Sequence, residues 1–173
     1  MNMFTRRDKG CARKNKEKPL HEKPPEPEGT VEIELSQEPG PHVLVVEDDW
    51  MIRKATRGFF ELSGMPASAC STLDQARVIM RDGQPRMTIL DGELPDGSGI
   101  DFCRELRDSG YEPPILIYTA LSSMADFQAG YAAGCTDYII KPFDLNLLLL
   151  KSQRYLEAYE QGYRIDRKEE KTI

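Results

Sequence analysis

Five short apolar runs, separated by stretches of helical periodicity, constrain the fold of this chain more than any other feature. The runs are Val43-Leu44-Val45-Val46, the weaker small-residue stretch 66–70, Met87-Thr88-Ile89-Leu90, Ile115-Leu116-Ile117-Tyr118 and Tyr138-Ile139-Ile140. Continuous apolar runs of this length suit strands covered on both faces, as in a parallel sheet. Between them the spacing predicts a helix with Ile52, Ala55, Phe59 and Leu62 on its inner stripe, stopped at Gly64. A second helix is N-capped by Thr72 and carries Leu73, Ala76, Ile79 and Met80. A third carries Ile100, Cys103 and Leu106, and a fourth Met124, Phe127 and Tyr131, ended by Gly134. A fifth starts at Asp144 and runs to about residue 159. Strands alternating with helices imply an α/β, three-layer architecture: a five-stranded parallel sheet, doubly wound by right-handed crossovers, with five helices on its two faces.

Residues 1–41 differ in kind. Residues 1–23 hold eight Lys/Arg against three Asp/Glu, and residues 24–41 hold five acids, no base and five prolines. Such a segment cannot bury enough apolar area to offset its ordering entropy, so it reads as a disordered arm. Only the alternation Val31-Glu32-Ile33-Glu34-Leu35 has the period of an edge strand. Residues 159–173 read as a short polar tail, which leaves residues 42–158 as the folded domain.

Over the whole chain the net charge is −6, with 39% hydrophobic and 30% charged residues. That balance argues against a nucleic-acid groove binder. No apolar stretch has the length of a membrane span, and no signal peptide is present, so a cytoplasmic location and no membrane partner are expected. Cys11, Cys70, Cys103 and Cys135 are far apart and show no metal-ligand spacing.

In a doubly wound sheet, ligands bind beyond the carboxyl ends of the strands. There the chain places Glu47-Asp48-Asp49 after the first strand, Asp91 after the third, Thr119 after the fourth and Lys141-Pro142 after the fifth. Acids gathered on one rim repel one another unless a cation joins them, and carboxylate oxygens suit Mg²⁺. Asp91 could then attack a phosphoryl group to give an acyl phosphate, with Lys141 supplying positive charge and Thr119 a hydroxyl. Three acids follow the first strand, so the metal pair could be Glu47 with Asp48 or Asp48 with Asp49. The register from Val46 favours the first and leaves Asp49 to cap the helix.

Residues 43–49 resemble the first-strand acidic motif of response-regulator receiver domains, and residues 90–99 (Leu-Asp-Gly-Glu-Leu-Pro-Asp-Gly-Ser-Gly) their phosphoacceptor loop. Tyr118-Thr119-Ala120 and residues 137–143 resemble the fourth- and fifth-strand signatures, all in the family's order. The resemblance implies a flavodoxin-like (CheY-like) fold and a receiver in a two-component phosphorelay. It implies Asp91 as the phosphorylated aspartate, with Mg²⁺ held by Glu47, Asp48, Asp91 and the backbone carbonyl of Glu93. Thr119 and Tyr138 take the place of the switch pair, with Tyr138 turning inward on phosphorylation, and Lys141 that of the phosphate-contacting lysine before a cis Pro142. Gly92 stands where the family more often has an apolar side chain, a change expected to loosen the loop.

The implied partners are a histidine kinase or phosphotransfer protein upstream and a protein target downstream. No residues remain for a DNA-binding output domain, so a stand-alone receiver is expected, one that relays a signal and catalyses only its own phosphorylation and dephosphorylation. On the last helix Leu145, Leu148, Leu149 and Leu156 share the core face. Leu147 and Leu150 fall on the opposite face and mark a candidate partner or homodimer surface. Two other readings are weaker. A haloacid-dehalogenase-type phosphatase fits the acid two residues after Asp91, but Pro95 and the lack of room for a cap oppose it. A receiver that signals without phosphate is opposed by the intact Asp, Thr and Lys set.

Overall fold

In the computed structural model the described residues are 42–163. The arm over 1–41, with its candidate edge strand, and residues 164–173 of the tail lie outside them. Along the chain come β1 (Val43–Val46), α1 (Trp50–Leu62), β2 (Ala67–Cys70), α2 (Leu73–Gly83) and β3 (Met87–Asp91). Two two-residue strands follow, β4 (Glu93–Leu94) and β5 (Gly97–Ser98). Then come α3 (Gly99–Asp108), β6 (Ile115–Thr119), α4 (Met124–Ala133), β7 (Asp137–Ile140) and α5 (Leu145–Glu160). Five strands form one parallel sheet in the order β2-β1-β3-β6-β7. The order reverses between β1 and β3, as the doubly wound expectation requires. The β4–β5 pair is a small antiparallel hairpin that the apolar periodicity did not signal.

Side chains alternate along each strand, so the sheet sorts its residues into two cores. Val43, Val45, Met87, Ile89, Leu116, Tyr118 and Ile139 pack with Phe60 of α1 and Leu148 and Leu156 of α5. Leu44, Val46, Leu90, Ile115, Ile117 and Tyr138 pack on the other face with residues of α2, α3 and α4. Cys70, Cys103 and Cys135 are buried in this second core.

Helix starts are set by side-chain caps, which satisfy the free N–H groups of the first turn. Asp49 accepts from Met51 and Ile52 on α1, Thr72 from Gln75 on α2, and Asp144 from Asn146 on α5, each as expected. Gly134 ends α4 in the left-handed conformation at φ 91°.

The inner stripe of α1 is one residue out of phase with the expectation. Arg53, Thr56 and Phe60 are buried, whereas Ala55 is exposed and Leu62 is 91% exposed. Ile52 and Phe59 are half-buried at the edges of the true stripe. The cause is Arg53: its Nη1 donates to the carbonyls of Glu47 at 2.7 Å and Asp48 at 2.9 Å. A charged side chain satisfied in this way is tolerated inside. On α4, Phe127 and Tyr131 pack against the core as expected, but Met124 is 73% exposed at the helix start.

Candidate functional site

Parity along the strands delivers the site. Glu47 continues the face of Val43 and Val45, Asp91 that of Met87 and Ile89, and Lys141 that of Ile139. Three strands therefore send two acids and an ammonium to the same side of the rim. Lys141 Nζ lies 2.6 Å from Glu47 Oε2 and 2.7 Å from Asp91 Oδ2. Glu47 is 1% exposed and Asp91 6% exposed, so this triad is largely removed from water. The remaining carboxylate oxygens accept backbone N–H groups: Glu47 Oε1 from Asp49, and Asp91 Oδ1 from Glu93, both at 3.2 Å. The Lys141–Pro142 bond is cis, as expected.

Burial drives the Glu47 pKa above its ordinary value; the Lys141 hydrogen bond opposes the rise and the Asp91 charge adds to it. Burial alone would lower the Lys141 pKa, but its bonds to Asp91 and Glu47 outweigh that and raise it. The ammonium is thus locked in its charged form between two acids.

Glu47, Asp48 and Asp91 present carboxylate oxygens within 4.8 Å of one another. Asp48 is exposed, and Asp49 is occupied as the α1 cap, so the cluster has the composition that the register from Val46 favours. Three hard oxygen donors around one point, open to solvent at Asp48, fit a divalent cation that retains some of its waters.

Thr119 is fully buried at the end of β6, and its Oγ1 accepts the Leu121 N–H at 3.2 Å. Tyr138 already lies inside, 6% exposed, with its ring 4.5 Å from that of Phe127 and its hydroxyl donating to the Leu121 carbonyl at 3.2 Å. Thr119 and Tyr138 therefore meet at one residue, Leu121.

Gly92 does not leave the loop slack. It is buried, and a Cβ there would stand 2.7 Å from Thr119 Oγ1, so Thr119 occupies the space a side chain would take. Gly99 is tighter still: its Cβ would fall 1.8 Å from the carbonyl oxygen of Asp91. The Gly99 N–H donates to the Gly92 carbonyl at 2.9 Å, which closes the loop after Asp91 onto the start of α3.

Several contributors were not picked out from the sequence. Arg53 holds the acidic loop by its carbonyls, and a base set among apolar residues was its only mark. Asp96, at the hairpin tip, accepts the Leu73 and Asp74 N–H groups at 3.0 Å each and so ties the loop after Asp91 to the start of α2. Burial opposes the charge of Asp96, yet those N–H groups hold its carboxyl below the ordinary range. Tyr118 lies beneath Lys141, with Nζ 4.7 Å from its ring centroid. Its hydroxyl is in loose contact with the Glu47 carboxylate, short of a well-formed hydrogen bond, and burial, then that charge and that contact, push its pKa up. An aromatic hydroxyl in an otherwise aliphatic run was the visible signal. Leu147 is 46% and Leu150 63% exposed, with Ile140 of β7 40% exposed.

Residues 43–153 match the response regulator receiver domain family. The chain belongs to the response-regulator receiver family. Its function is accordingly that of a phosphoryl-accepting receiver in two-component signalling. The receiver is 33% identical over 114 residues to response regulator MprA of Mycobacterium sp. (strain KMS), a match covering 66% of this chain and 50% of that protein. The chain thus spans about half the length of the curated relatives it matches. Chemotaxis protein CheY4 of Vibrio cholerae is 28% identical with a TM-score of 0.62, covering 66% of this chain and 97% of that one. The BeF3-activated N-terminal receiver domain of RstA from Klebsiella pneumoniae is 26% identical with a TM-score of 0.63, over 66% and 97% of the two chains. No helix among the described residues of the receiver is long and apolar enough to cross a membrane.

Proposed function

We propose that Asp91 is the phosphoacceptor of this receiver and that residues 42–158 work as a switch driven by its phosphorylation. The observation that carries the reading is the triad of Asp91, Glu47 and Lys141, closed at 2.6 and 2.7 Å beside the exposed Asp48. The donor would be the phosphohistidine of a histidine kinase or phosphotransfer protein. An Asp91 oxygen attacks phosphorus, the phosphorus–nitrogen bond breaks, and its electron pair returns to the imidazole. Glu47, Asp48 and Asp91, with the Glu93 carbonyl, would hold Mg²⁺. When bound, the ion neutralises phosphoryl charge that would otherwise meet three carboxylates.

Lys141 holds the charge of Asp91 before transfer and is close enough to turn to a phosphoryl oxygen after it. Thr119 gives up the Leu121 N–H to donate its hydroxyl to the same group. The Tyr138 hydroxyl is bonded to the carbonyl of Leu121, so a change at Thr119 is felt by the switch tyrosine through a single residue. With Tyr138 already inward, phosphorylation would reinforce this packing rather than create it. The message would leave through protein contacts, with Leu147 and Leu150 on α5 as the candidate surface for a target or a second copy. The receiver acts on no separate substrate in this reading, and its only chemistry is gain and loss of its own phosphoryl group.

Trp50 opens α1 directly after the acidic loop and reports on the site. Its fluorescence should change with Mg²⁺ and change again with beryllofluoride, the agent of the activated RstA receiver. Asp91→Asn should abolish the second change. A second change that persists in Asp91→Asn would place the acceptor elsewhere.

A further inference from the structure

Tyr118 is wholly buried, and in the sheet register it stands directly opposite Asp91. Its ring carries the Lys141 ammonium on one side, 4.7 Å from the centroid, and meets the Phe143 ring edge-on at 5.2 Å and 85°. These contacts fix the ring plane, and a cation over a desolvated aromatic face is held there electrostatically. Packing alone would be served by an aliphatic or phenyl side chain. The hydroxyl adds a polar atom with no well-formed hydrogen bond among the described residues, only a loose contact with the Glu47 carboxylate, which is unfavourable in a dry interior.

That hydroxyl has a use once the site is occupied. Lys141 now serves Glu47 and Asp91 together. Drawn to a phosphoryl oxygen on Asp91, it loosens its hold on Glu47, whose carboxylate is 1% exposed and has little access to water. We propose that Tyr118 is a positioning residue of the phosphoryl-transfer site: its ring face guides the Lys141 ammonium, and its hydroxyl is the reserve donor that takes over Glu47 when Lys141 turns to the phosphoryl group. The inference rests on the assignment of Asp91 as the acceptor.

The test uses the full chain and two substitutions. Tyr118→Phe retains the ring and deletes only the O–H. Its melting temperature in chelator should equal or exceed that of the parent, because a buried hydroxyl without a well-formed hydrogen bond has been removed. Its affinity for beryllofluoride in saturating Mg²⁺, read by Trp50 fluorescence, should fall about tenfold, the loss expected for one hydrogen bond to a charged group. A merely structural role would move both quantities in the same direction. Tyr118→Leu removes the ring, so the Lys141 side-chain resonances in lysine-labelled protein should lose the ring-current shift that parent and Tyr118→Phe share. Unchanged beryllofluoride affinity in Tyr118→Phe, a parallel loss of stability and affinity, or unmoved Lys141 resonances in Tyr118→Leu would each overturn the proposal. If Asp91→Asn abolishes beryllofluoride binding while Tyr118→Phe leaves it intact, only the role of Tyr118 falls. If Asp91→Asn still binds, the acceptor assignment falls and takes this inference with it.

Discussion

Replacing Lys141 by methionine retains an unbranched side chain and removes the single positive charge between two buried acids. Deleting one partner of a buried ion pair costs about 3–5 kcal/mol, because the other is left uncompensated. Glu47 sets a ceiling on its own share, since it can accept a proton rather than stay charged. Holding it neutral at pH 7 costs about 1.36 × (7 − 4.5), or roughly 3.4 kcal/mol, from an ordinary value of 4.5. At pH 5 the same ceiling is about 0.7 kcal/mol.

The signs follow from the two shifts. Glu47 has a raised pKa, so its burial is least costly when protonated, and stability falls as pH climbs from the unfolded towards the folded pKa. Losing Lys141 removes the effect that opposes this rise and stretches the interval upward. Lys141 has a raised pKa of its own, so in the parent its contribution is complete below about 10.5 and disappears above that. Urea unfolding followed by Trp50 fluorescence, with chelator present, should show Lys141→Met destabilised by about 3 kcal/mol at pH 7 and by about 1 kcal/mol at pH 5. An equal loss at both pH values, or none at pH 7, would refute the idea that the ammonium compensates a buried carboxylate.

Gly99→Ala should be severe, because its Cβ would fall 1.8 Å from the Asp91 carbonyl oxygen. Displacing backbone in a packed loop costs about 1–3 kcal/mol or more, so a lower melting temperature and loss of the beryllofluoride response are expected. Gly58→Ala in α1, where nothing lies within 4 Å of the added atom, should instead gain up to about 1 kcal/mol. Leu150→Lys, on a residue 63% exposed, should leave the fold and beryllofluoride binding intact while reducing self-association by light scattering or binding to a protein target. If neither changes, α5 is not the contact surface.

Much of the site was legible because its parts are local to strand ends. An apolar run marks a buried strand, its last residue marks the rim, and the topology of a doubly wound sheet brings the rims together. Glu47, Asp48, Asp91, Thr119 and Lys141 could be placed in this way without any contact being known. The caps at Asp49, Thr72 and Asp144 were equally local, since each serves N–H groups two or three residues ahead.

Tertiary structure decided what depends on partners distant in sequence. The phase of α1 turned on Arg53, whose burial is tolerable only where the carbonyls of Glu47 and Asp48 are brought to its guanidinium. Apolar residues on several faces of that helix made the 3.6-residue period visible but left its phase open. Gly92 read as looseness until Thr119 was seen against it, and the fit of Gly99 against the Asp91 carbonyl had no sign in the sequence. Asp96 reaches back 22 and 23 residues to α2, and Tyr118 lies beneath Lys141, whose partner Glu47 is 94 residues away. The sequence by itself determined which chemistry arrives at the rim, because alternation and strand ends are local properties. Only packing decided how that chemistry is held, because close approach and burial are properties of pairs that the chain brings together by folding.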